Sequence, residues 1–250
     1  MTCGSLRLYI ETDDPEYPGL IKLKLQGKDL ENIPAELFML KELQVLCMSP
    51  ERQPSLTYKL NELPADIGYL THLRVLLLDT NELQTLPSEI GSLKLLEKLS
   101  VSNNRLKQLP FALSELKRLE SLHLSNNLFV EFPKCVLQLK KVRFLDLCSN
   151  QLEEVPVTIT EMDNLETLLL FDNRLTMLPT DIGQLKKLRC LWLGDNFIRS
   201  LPRSITELQN LIWSPLLAPS VTVNGNPLSD PPTKVCKAGI EEIERHFSES

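Results

Sequence analysis

Three side chains could form a hydrolytic triad. Ser100, His123 and Asp146 recur 23 residues apart. In a Ser–His–Asp triad the imidazole takes the hydroxyl proton and the carboxylate holds the ring in place. At this spacing, however, each residue falls at the same outward position of a successive strand. Such side chains stand about 4.8 Å apart and point the same way. No Gly-rich elbow or oxyanion hole accompanies the row, so hydrolysis is not expected. His72 and His246 fall in segments away from that face. The cysteines, Cys3, Cys47, Cys135, Cys148, Cys190 and Cys236, are scattered without C-x-x-C pairs or ligand spacing. Neither a metal site nor a disulfide framework is expected from them. The glycines read as turn punctuation, with no phosphate-binding loop among them. The sequence therefore predicts a non-enzyme with no cofactor and no metal.

Recognition is the chemistry that remains. The central outward row reads Lys24, Cys47, Leu77, Ser100, His123, Asp146, Leu169, Trp192. Its middle is small and polar. The C-terminal third of the strand face instead gathers Phe144, Leu169, Phe171, Trp192 and Trp213, bordered by Asp146, Asp172 and Asp195. Large apolar groups rimmed by charge have the composition of a protein-binding hot spot. The other reading is that these aromatics only cover the sheet or pack against a cap. An acidic rim would favour a partner with a basic patch, mainly through association rate.

The elements that must position these residues follow from a strict period. The segment Leu119 to Lys141 carries Leu119, Leu122, Leu124, Asn127, Phe129, Phe132-Pro133, Val136 and Leu139, and the plan returns 23 residues on either side. Starts at Leu20, Leu43, Leu73, Leu96, Leu119, Val142, Leu165, Leu188 and Leu211 give nine repeats. A period in this range is the signature of a leucine-rich repeat solenoid. The predicted fold is α/β, a curved horseshoe with a parallel sheet on its concave face and short helical or irregular convex segments. Each L-x-x-L-x-L run is a strand, and the second half of the repeat is the crossover that parallel pairing requires. Prolines in register, Pro34 through Pro202, fix the backbone where the convex segment starts. Asn81, Asn104, Asn127, Asn150, Asn173, Asn196 and Asn226 fall where the chain leaves each strand. Their amides can both donate and accept, so they are expected to form a ladder satisfying buried backbone groups.

Two repeats break the period. The second is seven residues longer than its neighbours, and the surplus near 49–59 predicts a projecting polar loop, either a tolerant insertion or a partner contact. In the last repeat, deleting 214–220 (SPLLAPS) restores the plan. Those residues can be encoded by a pyrimidine-rich stretch ending in C-A-G, as at the 3′ end of an intron. An alternative splice acceptor or a gene-model error is the expectation for this insert.

The ends need covers, because an open solenoid end exposes core leucines and an unpaired strand edge. Residues 1–19 are expected to supply one, with Leu6, Leu8 and Ile10 alternating as a short strand. The array then runs over 20–232. Residues 233–250 form a capping helix and tail, with Thr233 as N-cap and one face made of Val235, Gly239, Ile240, Ile243 and Phe247.

A net charge of -6 argues against nucleic acid and against anionic membrane as partner. No apolar run approaches the roughly 18–20 residues that span a bilayer. The N-terminus lacks a basic-then-apolar leader and a glycine for myristoylation. Unpaired thiols fit a reducing compartment, so the cytoplasm is expected, with the nucleus also open. A monomer is expected.

The motifs LPSEIGSLKLLEKLSVSNNRL (86–106) and LPTDIGQLKKLRCLWLGDNFI (178–198) carry a family resemblance. From about Leu20 to Phe247 the chain resembles intracellular leucine-rich repeat proteins of the Ras-suppressor type, which include Ras-pathway scaffolds that recruit a phosphatase. The resemblance implies a cytoplasmic, non-catalytic protein-binding module, a scaffold in signalling. The alternative it leaves open is a regulatory subunit that modulates a phosphatase, kinase or ubiquitin ligase bound in trans.

Overall fold

The computed structural model describes residues 6–50, 58–212 and 223–249. The chain divides into two compact units, Met1–Asn127 and Leu128–Ser250. The boundary falls directly after a ladder asparagine, within a single repeat.

The first unit contains six short strands, β1 (Ile10–Glu11), β2 (Lys22–Lys24), β3 (Val45–Cys47), β4 (Val75–Leu77), β5 (Lys98–Ser100) and β6 (Ser121–His123). From β2 to β6 each strand pairs in parallel with the next, in the register Lys22, Val45, Val75, Lys98, Ser121. The second unit repeats the plan with β7 (Phe144–Asp146), β8 (Thr167–Leu169) and β9 (Cys190–Trp192), again parallel and in register. Strands β2 to β9 are only three residues long because the coil must turn away at once to bury its next leucine. Leu99, Leu122, Leu145, Leu168 and Leu191, the middle residues of five strands, are fully buried.

The return segments carry single 3-10 turns, Ala35–Met39, Ala65–Tyr69, Ser88–Ser92 and Phe111–Glu115, then Lys134–Gln138, Val157–Glu161, Ile182–Gln184 and Arg203–Glu207, with one α-helical turn, Lys28–Glu31, ahead of the first. Proline precedes seven of these eight, with φ between -62° and -69°. Its carbonyl accepts the first bond of the turn, as in Leu37 N to Pro34 O at 2.9 Å and Leu113 N to Pro110 O at 3.0 Å. The missing proline N–H lies outside the turn, where nothing needs it. Before Ile182–Gln184 the turn starts later, but Ile182 N still donates to Pro179 O at 3.1 Å.

Both expected covers differ from the sequence reading. Arg7–Tyr9 forms a 3-10 turn, and only Ile10–Glu11 is strand, pairing antiparallel with Leu23 and Lys22 of β2. The alternation of apolar residues reflects burial of Leu6, not an extended run. At the other end, Thr233 is the first helical residue, preceded by Pro232 and making no side-chain cap. The expected single helix is two, Thr233–Ala238 and Ile240–Glu249. Gly239 at φ +116° separates them, a conformation open to glycine alone. Cys236, Ile243 and Phe247 are buried, and Arg203 lies over the Phe247 ring at 5.6 Å.

One backbone feature recurs with the period. The residue before each ladder asparagine is left-handed: Thr80, Asn103, Asn126, Ser149, Asp172 and Asp195 have φ between 51° and 63°, and Gly225 has φ 80°. Asparagine, aspartate and glycine tolerate this region, whereas a β-branched residue does not. Thr80→Asn should therefore raise stability by about 0.5–1 kcal/mol. Urea unfolding checks this, and a lower midpoint in the variant would contradict the strain argument.

Candidate functional site

Within the first unit, Ser100 and His123 each bond to a residue outside the Ser–His–Asp row. Ser100 Oγ donates to Asp79 Oδ1 at 2.6 Å, so its proton faces a carboxylate on the preceding coil. His123 Nε2 lies 2.9 Å from Ser121 Oγ, on its own strand. Asp146 lies in the second unit and accepts from Cys148 N at 3.0 Å. The small polar residues instead tie neighbouring coils together. Asp79 Oδ1 also takes Ser102 N at 2.7 Å, and Ser125 Oγ donates to Ser102 Oγ at 3.0 Å.

The seven asparagines share one geometry. In the first unit, Asn104 Nδ2 donates to the carbonyls of Leu78 and Val101, both at 3.0 Å, while its Oδ1 accepts from Leu83 N at 3.0 Å. Asn81 and Asn127 make the matching bonds one coil before and one coil after. In the second unit, Asn173 donates to Leu147 O at 2.9 Å and Leu170 O at 3.1 Å, and accepts from Leu152 N at 3.0 Å. Asn196 and Asn226 repeat this, and Asn150 accepts from Phe129 N and donates to Leu147 O. Each amide thus joins two coils and satisfies backbone groups that the core has removed from water.

The aromatic cluster lies on neighbouring strands of the second unit. Phe144 starts β7, Trp192 ends β9 opposite Leu169 of β8, and Phe171 follows β8. Phe144, Phe171 and Trp192 are half-buried, and Leu169 is only 8% exposed. Leu169 is thus part of the floor beneath the cluster and not a projecting contact, because neighbouring side chains on the same face close over a residue of its size. The Phe171 ring lies against Gly194, where an added Cβ would come within 3.0 Å of it. Trp192 Nε1 is buried and meets no hydrogen-bond acceptor among the described residues. Trp213 and the insert 214–220 lie outside the described residues, as do 51–57 of the longer loop.

The acidic rim has a second explanation that the sequence reading missed. Asp172 and Asp195 are exposed, but both occupy the left-handed turn position, where glycine and asparagine stand in other coils. The signal was available as a column of Thr, Asn, Asn, Ser, Asp, Asp and Gly directly before the ladder.

Sequence reasoning also missed the segment that covers the outward face of the first unit. Val45 is fully buried, Val75 is 6% exposed and Cys47 9%, although all three point outward by register. Tyr17 packs on Val45 and Val75 together with Leu20 and Leu77. Burial, and then the neighbouring Glu16, push the Tyr17 phenol well above its usual range. The hydrogen-bonded Lys22 ammonium holds the Asp14 carboxyl below its usual range.

Cys47, Cys135, Cys148, Cys190 and Cys236 are free thiols. Burial pushes Cys135 and Cys236 up to about 11, so near neutral pH they are thiols rather than thiolate nucleophiles. Among the described residues, no group of three or more His, Cys, Asp or Glu could hold a metal. No described helix is long and apolar enough to cross a membrane.

A parallel strand ladder, coils returning through proline-started 3-10 turns and a buried asparagine column define a leucine-rich repeat solenoid. The family model for a leucine-rich repeat region matches residues 57–140 and 133–213. The chain belongs to the leucine-rich repeat family.

Among solved structures, it is similar to a leucine-rich repeat protein of Leptospira interrogans, with 36% identity and a TM-score of 0.73 over 82% of this chain and 49% of that one. It is also similar to PEPR1, solved with AtPEP1, at 26% identity and a TM-score of 0.67 over 83% of this chain and 27% of that one. The ectodomain of the Arabidopsis thaliana receptor kinase GASSHO1/SCHENGEN3, solved with CASPARIAN STRIP INTEGRITY FACTOR 2, shares the fold at 24% identity, with a TM-score of 0.58 over 83% of this chain and 27% of that one. The chain spans about half the length of the first of these and about a quarter of the two plant proteins. No curated protein matches it significantly.

Proposed function

We propose that the protein is a non-catalytic protein-binding module that docks a partner on the strand face of its second unit. The observation that carries this reading is the group Phe144, Phe171 and Trp192. These three large rings on adjacent strands remain partly open to solvent, and one carries an indole N–H with no acceptor among the described residues. Partly exposed aromatics are the groups that bury most area per side chain on association. Asp172 and Asp195 lie exposed beside them and would speed the approach of a partner with a basic patch. The likeness to PEPR1, solved with AtPEP1, supports a binding role. The Ras-suppressor-like spacing of 86–106 and 178–198 supports a place among signalling scaffolds, and buried free thiols support a reducing, cytoplasmic setting.

Recovery of a partner from lysate by the full chain, followed by titration of that partner, tests the reading. Phe171→Ala should weaken the partner at least tenfold, the size expected of a hot-spot residue. Trp192→Phe separates binding from stability. It removes an unsatisfied donor, so the melting temperature should hold or rise while affinity falls. Unchanged affinity in both variants would remove this face as the docking site.

A further inference from the structure

The segment 11–17, ETDDPEY, lies on the outward face of the first unit like a bound peptide. Covering the open end of the stack requires only β1, which pairs with the edge strand β2. Tyr17 goes further. Its ring rests on β3 and β4 through Val45 and Val75, and its hydroxyl accepts from Lys98 Nζ of β5 at 3.4 Å, 81 residues along the chain. Lys22 and Lys98 flank the ring, with their ammonium nitrogens 5.8 and 5.9 Å from its centroid. The same lysines take the acidic residues of the segment. Lys98 reaches Glu16 at 3.7 Å, and Lys22 pairs with Asp14 and reaches Glu11 at 3.8 Å. Asp14 Oδ1 accepts from Glu16 N at 2.8 Å and Tyr17 N at 3.1 Å, which turns the backbone so that the ring faces the sheet.

The surface beneath has the parts of a specific site: an apolar floor for one aromatic ring, between two cations placed for carboxylates on either side. We infer that the outward face of β2–β5 is a recognition surface for an acidic peptide bearing an aromatic anchor, and that Glu11–Tyr17 occupies it in cis. A segment tethered this closely acts at a local concentration on the order of millimolar, so a partner in trans competes with it and binds at reduced apparent affinity. This surface lies on the first unit. Its test and the test of the aromatic cluster on the second unit therefore fail independently.

Fluorescence anisotropy with a labelled synthetic peptide of residues 11–19, ETDDPEYPG, added to the full chain tests the inference. Tyr17→Ala, which vacates the floor, should bind the peptide saturably and at least tenfold more tightly than the wild type. Adding Lys98→Glu to that variant should weaken binding at least tenfold, and so should replacing the peptide's tyrosine with alanine. If circular dichroism shows that Tyr17→Ala does not fold, the pair Asp14→Ala with Glu16→Ala is measured instead. That pair keeps the ring and the Glu11 contact but removes the ionic contacts of Asp14 and Glu16, and a gain of about threefold over wild type is expected. Absence of saturable binding in the folded opened variant would overturn the inference, as would binding that ignores Lys98→Glu.

Discussion

Asn173→Asp is expected to cost on the order of 3–6 kcal/mol at neutral pH, despite a nearly identical shape. The wild-type amide is only 6% exposed; it donates to Leu147 O and Leu170 O and accepts from Leu152 N. A carboxylate keeps the bond from Leu152 N but turns an acceptor toward both carbonyls. Leu147 O keeps its bond from Asn150 Nδ2 and Leu170 O its bond from Asn196 Nδ2. Each loses its second donor, at about 0.5–1.5 kcal/mol, and now faces a buried carboxylate whose uncompensated charge makes up the rest of the cost. Burial and the facing carbonyls hold the folded carboxyl above its unfolded value of about 4. A raised acid is favoured by folding while protonated. The variant's deficit should therefore be smallest near and below pH 4 and should grow as pH rises through the folded value. The protonated acid restores one donated bond, so recovery is partial. Urea unfolding of both proteins at pH 7 and pH 4.5 gives the comparison. A deficit below about 1 kcal/mol, or one that ignores pH, would mean that the ladder carries little of the stability.

That asparagine column was legible in the sequence because its spacing is fixed by the coil, as were the strand register and the prolines. A 23-residue period forces equivalent residues into equivalent places, so Lys22, Val45, Val75, Lys98 and Ser121 align without further information. What could not be read are features not dictated by the period. Tyr17 belongs to no repeat, and its contact with Lys98 depends on where a non-repeating segment folds back. The apolar outward residues Val45, Val75 and Leu77 were a hint that something covers them. The depth of the aromatic cluster was also hidden: outward register does not fix exposure, as Leus 169 and 77 show by lying at 8% exposed and half-buried. Asp172 and Asp195 were read for charge, although the backbone at their turn already restricts the residue type.

The glycines show most sharply how a correct pattern can carry the wrong reason, and they give the second large effect. Gly68, Gly91 and Gly183 recur at multiples of 23 and were expected to punctuate turns. They lie inside the 3-10 segments at ordinary, non-left-handed φ, so conformational freedom is not what they supply. They supply room. A Cβ at Gly91 would come within 2.5 Å of the Ala112 carbonyl on the next coil, and one at Gly183 would overlap the Ser204 carbonyl more severely still. At Gly68 the nearest atoms, Glu89 Cβ and O, stand at 3.0 Å. Where the backbone suits alanine, Gly→Ala stabilises by about 0.4–1 kcal/mol through the unfolded chain. Here the sign should invert. Pushing two coils apart should cost about 1–3 kcal/mol or more, because the neighbouring atom is backbone and cannot rotate away. The expected order of destabilisation is Gly183→Ala, then Gly91→Ala, then Gly68→Ala, measured by urea unfolding of the full chain. A neutral or stabilising Gly91→Ala would mean that the stacking distance yields freely, and with it the claim that coil spacing fixes these three positions.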